Sequence, residues 1–208
     1  MKPFTILALS GSLRAESSNT VLLHAMAKLA PSNVTFNFFE GLGGLPHYNP
    51  DQEDIAIPRV AEWRSLVRSV DGILICSPEY ARGVPGSLKN ALDWLVGGIE
   101  IVDKPVALIN ASPYSTHAHA SLMVILQTMS ARVIAEASIT VPLRGRKLTA
   151  SEIAVDPLVA AKLQTALDLF FREIREKRIQ GDCRPPAGDM TTNGLVFPGP
   201  SVSVVRSP

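Results

Sequence analysis

Cysteine, excess charge of one sign and long hydrophobic runs are all scarce in this sequence, and each absence excludes a class of protein. The 208 residues contain two cysteines, Cys76 and Cys183, too few for a disulfide framework. There are 20 lysines and arginines against 19 aspartates and glutamates, so nucleic acid and membrane surfaces are not expected partners. No apolar run approaches the ~20 residues of a membrane span, and the one near Met1 is too short for a secretory signal. We therefore expect a cytoplasmic protein.

Apolar residues are plentiful, at 46% of the chain, and they form short runs that alternate with longer segments of helical period. Three of these runs are apolar at every position, as expected of strands covered on both faces of a parallel sheet. Five strands are predicted in all: Phe4–Leu9, Val34–Phe39, Gly72–Cys76, Val106–Ile109 and Val133–Ile139. The second alternates apolar and polar residues, which is typical of an edge strand.

Apolar stripes between the predicted strands indicate amphipathic helices. One stripe consists of Leu88, Ala91, Leu92, Leu95 and Val96, a fourth helix is expected near residues 120–129, and a last long one carries Leu163 to Ile174. This order predicts an α/β fold, with a doubly wound, five-stranded parallel sheet in a three-layer α/β/α sandwich. We expect one domain over residues 1–180 and an extended, Pro- and Gly-rich tail over residues 181–208.

A hydroxyl-rich turn, residues 10–20, directly follows the first predicted strand and precedes a helix. In a doubly wound sheet, ligands bind beyond the carboxyl ends of the strands, and a helix N-terminus there offers free N–H groups to an anion. The turn lacks the Rossmann and Walker glycine patterns. It offers the side chains of Ser10, Ser12, Arg14, Ser17, Ser18, Asn19 and Thr20, which suit a phosphate monoester. A polar loop in which Ser18 or Asn19 only caps the helix explains the same residues.

A second shaped turn, residues 77–87, follows the third predicted strand. Its prolines and glycines restrict the backbone, and Tyr80 can line a flat ring. Packing of Tyr80 on a neighbouring loop is the alternative. Because the first and third strands should be neighbours, the two turns together fit a phosphate and a planar ring, and FMN combines both.

These residues resemble the NADPH-dependent FMN reductase family, which includes quinone, chromate and azo-compound reductases. The matching motifs are Gly11-Ser12-Leu13-Arg14 with Ser17 and Asn19, and Ser77-Pro78-Glu79-Tyr80 with Val84-Pro85-Gly86 and Leu88 to Trp94. The resemblance covers roughly residues 3–180 and implies a flavodoxin-like fold. It also implies FMN as cofactor, NADPH or NADH as electron donor, and a small-molecule electron acceptor.

The resemblance implies roles for particular residues as well. Ser12, Arg14, Ser17, Ser18, Asn19 and Thr20 would hold the phosphate, and Pro78, Glu79 and Tyr80 would border the isoalloxazine. A homodimer or homotetramer is implied, with Trp94, Leu95 and Val96 as candidate contacts.

The sequence departs from the family pattern at two places. Ala81 stands where relatives often have Asn. The stretch 110–119 lacks the glycines that relatives often show, although its Ser112 can still meet the flavin edge.

In such an enzyme the cofactor performs the hydride chemistry, so we predict no catalytic side-chain acid or base. Arg14 and Arg82 can attract a nucleotide phosphate, although Arg82 can equally be a solvated loop charge. His117 and His119 are interpreted as loop histidines and no metal site is predicted. A non-catalytic FMN-binding electron carrier or flavin-sensing module is the alternative function.

Overall fold

The computed structural model describes residues 3–143 and 148–182, and it has a parallel sheet between two layers of helices. The strands are β1 (Phe4–Ser10), β2 (Val34–Phe38), β3 (Gly72–Cys76), β4 (Pro105–Asn110), β5 (Arg132–Val133) and β6 (Ile139–Thr140). Their order is β2-β1-β3-β4-β5, with β6 also paired to β4, and every pairing is parallel. The predicted doubly wound, flavodoxin-like fold is confirmed, with β2 at an edge as expected.

The helices are α1 (Ser18–Leu29), α2 (Pro58–Ser69), α3 (Gly86–Asp93), α4 (Thr116–Thr128), α5 (Ala150–Val155) and α6 (Pro157–Asp182). Helices α1, α5 and α6 cover one face of the sheet, and α2, α3 and α4 cover the other. Along β3, Leu74 faces the first layer whereas Ile73 and Ile75 face the second. Burial on both faces is the reason that the central strands are apolar at every position.

The fifth predicted strand, Val133–Ile139, is interrupted in the structure. A 3-10 turn at Ala135–Ala137 separates β5 from β6, which therefore pair with different parts of β4. The hydroxyl of Ser138 donates to the Ile134 carbonyl and accepts from the Leu108 N–H, replacing part of the strand ladder. The sequence did not reveal this interruption, because Ala135 and Ala137 of the turn are apolar like the strand residues on either side.

Two helices differ from the prediction at their ends. Helix α4 begins at Thr116, so His117 and His119 lie in its first turn and the interpretation of them as loop histidines was wrong. Helix α3 ends at Asp93, which leaves Val96 outside the helix and exposed, whereas Trp94 and Leu95 are buried in the core of their own chain. Those two residues are therefore poor candidates for a subunit contact.

The end of α6 at Asp182 is close to the predicted domain boundary at residue 180. The rest of the predicted tail, residues 183–208 with Cys183, lies outside the described residues. Cys76 is buried in β3, in agreement with the prediction. None of the helices within residues 3–143 and 148–182 has the length and hydropathy needed to cross a membrane.

Candidate cofactor site

Three loops meet at the carboxyl edge of the sheet, because β1, β3 and β4 are adjacent and end at the same level. The register pairs Ser10 with Cys76, and Cys76 with Ile109. The turns after β1, β3 and β4 therefore start side by side. These turns and the first residues of α1 carry all ten predicted site residues.

Gly11 is the point where the first two loops touch. Its N–H donates to the Cys76 carbonyl at 2.9 Å. A Cβ atom on Gly11 would lie 2.5 Å from Ser77 Oγ and 3.0 Å from Leu88 Cδ2, closer than real side-chain atoms approach. The absence of a side chain at Gly11 thus allows the two loops to contact one another.

Ser17 and Asn19 face inward, toward β3. Ser17 Oγ accepts from the Asn19 backbone N–H at 3.3 Å and so caps α1. Asn19 Oδ1 accepts from the Cys76 thiol at 3.3 Å, and Asn19 Nδ2 donates to Ser17 Oγ. Burial raises the pKa of the Cys76 thiol, which keeps it protonated as the donor. The cap of α1 is thus Ser17, not Ser18 or Asn19 as the capping alternative expected. Ser17 and Asn19 together hold the start of α1 against β3.

The remaining polar groups of the first loop face outward. Arg14 and Ser18 are exposed and Ser12 is half-buried. Ser12 Oγ accepts from the Arg14 N–H at 3.3 Å, and Thr20 Oγ1 donates to Ser10 Oγ at 2.8 Å, which shapes the bend. The first loop thus offers hydroxyls, a guanidinium and the N-terminus of a 12-residue helix, and donors of these kinds suit a phosphate.

The second loop carries a tight hairpin turn at its tip. The Tyr80 N–H donates to the Gly83 carbonyl at 3.1 Å, and the Gly83 N–H donates to the Tyr80 carbonyl at 2.9 Å. Between them, Ala81 has φ 48° and Arg82 has φ 60°, both in the left-handed region. Positive φ at both central residues defines a type I′ turn, which favours Asn-Gly. Left-handed backbone costs about 1–2 kcal/mol per non-glycine residue, so this turn is strained.

The carboxylate of Glu79 contacts α4. Glu79 Oε2 accepts from the Ala118 backbone N–H at 2.9 Å, and Oε1 lies 3.5 Å from His117 Nδ1. The N-cap residue of α4, Ser115, makes no side-chain capping bond. The carboxylate therefore supplies the missing cap from another loop, at the positive end of the helix dipole.

The third loop is shaped by Asn110, at the end of β4. Asn110 Oδ1 accepts from the Ser112 N–H at 3.0 Å, and Asn110 Nδ2 donates to the Ser115 carbonyl at 3.3 Å. The hydroxyl of Ser112 accepts from the Tyr114 N–H, and the Tyr114 ring is 86% exposed. Below this loop, a small pocket is lined by Ser77, Asn110, Ser115 and His119 among apolar neighbours. Burial lowers the pKa of His119. Among the described residues, no three His, Cys, Asp or Glu side chains are grouped to hold a metal ion.

The family assignment follows from a match over most of the folded chain. A model of the NADPH-dependent FMN reductases matches residues 4–144, which include all three loops. The chain belongs to this family. The resemblance seen in the two turn motifs is thereby confirmed.

Individual relatives of this FMN reductase family member are more limited matches. A 2-hydroxy-1,4-benzoquinone reductase of a Burkholderia species is 51% identical over 85 residues, 40% of this chain and 45% of that protein. A quinone reductase of Escherichia coli strain K12 is 36% identical over 104 residues, 49% of this chain and 54% of the relative. The chain thus spans about half the length of the curated relatives it matches.

Among solved structures, the flavoenzyme NAD(P)H:(acceptor) oxidoreductase FerB from Paracoccus denitrificans aligns with a TM-score of 0.67. It is 29% identical and covers 83% of this chain and 98% of that chain. An NADH:FMN oxidoreductase in its apo form aligns with a TM-score of 0.59 at 24% identity, which speaks for the fold alone.

Two residues that shape this edge of the sheet, Asn90 and Asn110, were not identified from the sequence. Asn90 Oδ1 accepts from the Tyr48 N–H at 2.7 Å, and both Asn90 Nδ2 and Trp94 Nε1 donate to the Pro46 carbonyl. Asn90 and Trp94 thus hold the segment after β2 in place. Asn110 was also missed, although an amide that follows an apolar strand is a signal that could have drawn attention to it.

Proposed function

We propose that this chain binds FMN at the carboxyl edge of its sheet and uses NADPH or NADH to reduce a small acceptor such as a quinone. The observation that carries the proposal is the outward-facing donor set of the first loop, next to the shaped second and third loops. Family membership agrees with this ligand.

The phosphate of FMN fits the first loop in this proposal. Ser12, Arg14 and Ser18 present their side chains to it, together with the first N–H groups of α1. Ser17, Asn19 and Thr20 complete the loop by capping α1 and by bonding to Cys76 and Ser10. Charge-assisted hydrogen bonds from Arg14 would be the strongest single contact, since they pair ions of opposite charge.

The isoalloxazine ring would lie along the second and third loops, bordered by Pro78, Tyr80 and Ser112. Tyr80 is 51% exposed and is held by the two backbone hydrogen bonds of its turn. Glu79 would act from the side, because its carboxylate holds α4 against the loop. Ser112 keeps a hydroxyl proton to donate, since its oxygen already accepts from Tyr114.

Bound FMN supplies the hydride and electron chemistry, which no side chain of this site can perform. The protein's part is to hold the ring, to leave one of its faces open and to orient the donor and the acceptor in turn. We therefore assign no side-chain acid or base. Quinones as acceptors are suggested by the names of the two quinone-reducing relatives.

We also propose a cytoplasmic homo-oligomer, a dimer or tetramer. Val96, Ile99 and Val102 follow α3, and all three are exposed, with Ile99 79% accessible. Three exposed apolar residues on one short segment suit burial against a second copy of the chain. Sedimentation of the purified protein measures this assembly directly.

The test of the function is the visible spectrum of purified protein after FMN addition, followed by NAD(P)H oxidation with and without a quinone. The proposal expects a bound flavin spectrum and quinone-dependent turnover. Bound flavin without turnover would indicate the carrier or sensing module instead. Failure to bind FMN at saturating concentration would contradict the whole proposal, because every part of it requires the cofactor.

A further inference from the structure

Arg82 is held on a rigid, strained support. It is one of two adjacent non-glycine residues in the left-handed region, and a pair of backbone hydrogen bonds between Tyr80 and Gly83 closes the turn around it. Type I′ turns favour Asn-Gly at these positions, so the sequence departs from the turn's own preference. Strained backbone kept at a site edge points toward function rather than toward stability.

The guanidinium of Arg82 is exposed and has no ion pair or side-chain hydrogen bond within residues 3–143 and 148–182. Many other arginines there are engaged, as in the pairs of Arg132 with Glu173 and Arg178 with Asp71. The nearest acidic residue in sequence, Glu79, is committed to α4. Arg82 is therefore a cation available to a ligand.

We propose that Arg82 binds a phosphate group of the incoming reduced nicotinamide dinucleotide. The inference rests on the proposed function, in which Tyr80, two residues earlier, borders the isoalloxazine. The phosphates of a nicotinamide dinucleotide stacked on this ring would extend past the loops that border it, and Arg82 lies at the tip of one of these loops. Guanidinium groups bind phosphate oxygens in bidentate pairs, which makes arginine well suited to this contact.

Two phosphate groups can supply this chemistry, and they are distinguished by comparing dinucleotides. The pyrophosphate is present in both nucleotide forms, whereas the 2′-phosphate is present only in the NADP form. Contact with the 2′-phosphate would make Arg82 the residue that sets the preference for NADPH. Contact with the pyrophosphate would make it a general anchor for both donors.

The experiment titrates NADP⁺ and NAD⁺ onto FMN-loaded protein by calorimetry, so that binding is read without turnover. Arg82→Gly removes the charge and relieves the turn, Arg82→Lys keeps a charge, and Ala81→Gly is the matched control that changes the backbone alone. FMN affinity is measured first for every variant. We expect it to be unchanged, which shows that the cofactor pocket is intact.

Loss of a charge-assisted contact should weaken NADP⁺ binding to Arg82→Gly by about ten- to a hundredfold. Arg82→Lys should lose less and Ala81→Gly should bind as the parent does. Weakening of NADP⁺ alone assigns the 2′-phosphate, and weakening of both dinucleotides assigns the pyrophosphate. If Arg82→Gly binds NADP⁺ and NAD⁺ as tightly as the parent does, the inference is overturned. The proposed function would still stand in that case, provided that the protein binds FMN. Absence of FMN binding in the parent protein would overturn both.

Discussion

The Glu79 carboxylate accepts a hydrogen bond from the Ala118 N–H at 2.9 Å, across 39 residues of sequence. Helix α4 has no side-chain cap of its own at Ser115, so this contact both caps the helix and fixes the loop that carries Tyr80. Glu79, which the family resemblance places beside the cofactor, thus also fixes the position of its neighbours in the folded chain.

Replacing Glu79 by Ala should lower the free energy of unfolding by about 0.5–2 kcal/mol, the range measured for loss of a helix cap. Glu79→Gln keeps an acceptor oxygen and should lose less. Urea unfolding of the cofactor-free protein measures both. His117→Ala is the matched control: it removes a half-exposed side chain whose contacts with Glu79 and Thr116 contribute little. A larger loss in His117→Ala than in Glu79→Ala would refute the capping role.

Replacing Arg14 by Ala should weaken FMN binding. Loss of a hydrogen bond to a charged group costs roughly 1.5–3 kcal/mol, so the dissociation constant should rise about ten- to a hundredfold or slightly more. Quenching of FMN fluorescence during titration gives the affinity. Arg14→Lys retains the charge, so its affinity for FMN should lie between those of the parent and Arg14→Ala. An unchanged titration for the Ala variant would remove Arg14 from the phosphate site.

Replacing Ala81 by Asn should stabilise the protein. Asn adopts left-handed backbone more readily than Ala and is favoured at the first central position of a type I′ turn. The free energy of unfolding should therefore rise by part of the ~1–2 kcal/mol that left-handed backbone costs. Chemical denaturation of the cofactor-free protein tests this. Ala81→Val provides the opposite control, because a β-branched residue at positive φ is strongly disfavoured. Equal stability of the two variants would mean that the turn does not have the backbone described.

Lys104 makes stability depend on pH in the alkaline range. Its Nζ donates to the Val70 and Arg68 carbonyls at the end of α2. Burial, aided by the charge of Lys177, lowers the pKa of Lys104 from 10.5 to about 8. Between these two values the unfolded chain holds the proton that the folded chain has released. Stability due to this group therefore rises with pH through that window.

The check on Lys104 is a comparison with Lys104→Met, measured by urea unfolding at several values between pH 7.5 and 10.5. Titrating groups far from Lys104 affect both proteins alike, so the difference reports Lys104 and its charged neighbours Lys177 and Asp71. The free energy of unfolding of the parent should increase relative to that of Lys104→Met as pH rises across this interval. A difference that stays constant would show that the pKa of Lys104 is not lowered by folding.

Much of the fold was predictable because local pattern carries it. Uninterrupted apolar runs such as Ile73–Cys76 mark strands covered on both sides, and helical spacing marked the segments between them. The interruption of the last strand at Ala135–Ala137 and the early start of α4 at Thr116 were missed. In both places the competing local conformations have similar propensity. Pairing with β4 determines the first, and the contact with Glu79 determines the second.

The location of the candidate site was also predictable, since doubly wound sheets place ligands at the carboxyl ends of their strands. The contacts that its individual side chains make were not predictable. Ser17 and Asn19 turn toward Cys76, whereas Arg14 stays outside. Composition of a polar loop does not state which of its members will be buried, because that depends on what the next strand presents to them.

The amino-acid order alone therefore determined the alternation of strands and helices, the parallel sheet and the edge at which polar turns collect. Only the tertiary structure decided that Glu79 caps α4, that Asn90 holds the segment at Tyr48, and that Ala81 and Arg82 take left-handed backbone. The physical reason is sequence separation. Periodicity depends on residues a few positions apart, whereas each of these arrangements depends on partners or packing that only the folded chain brings together.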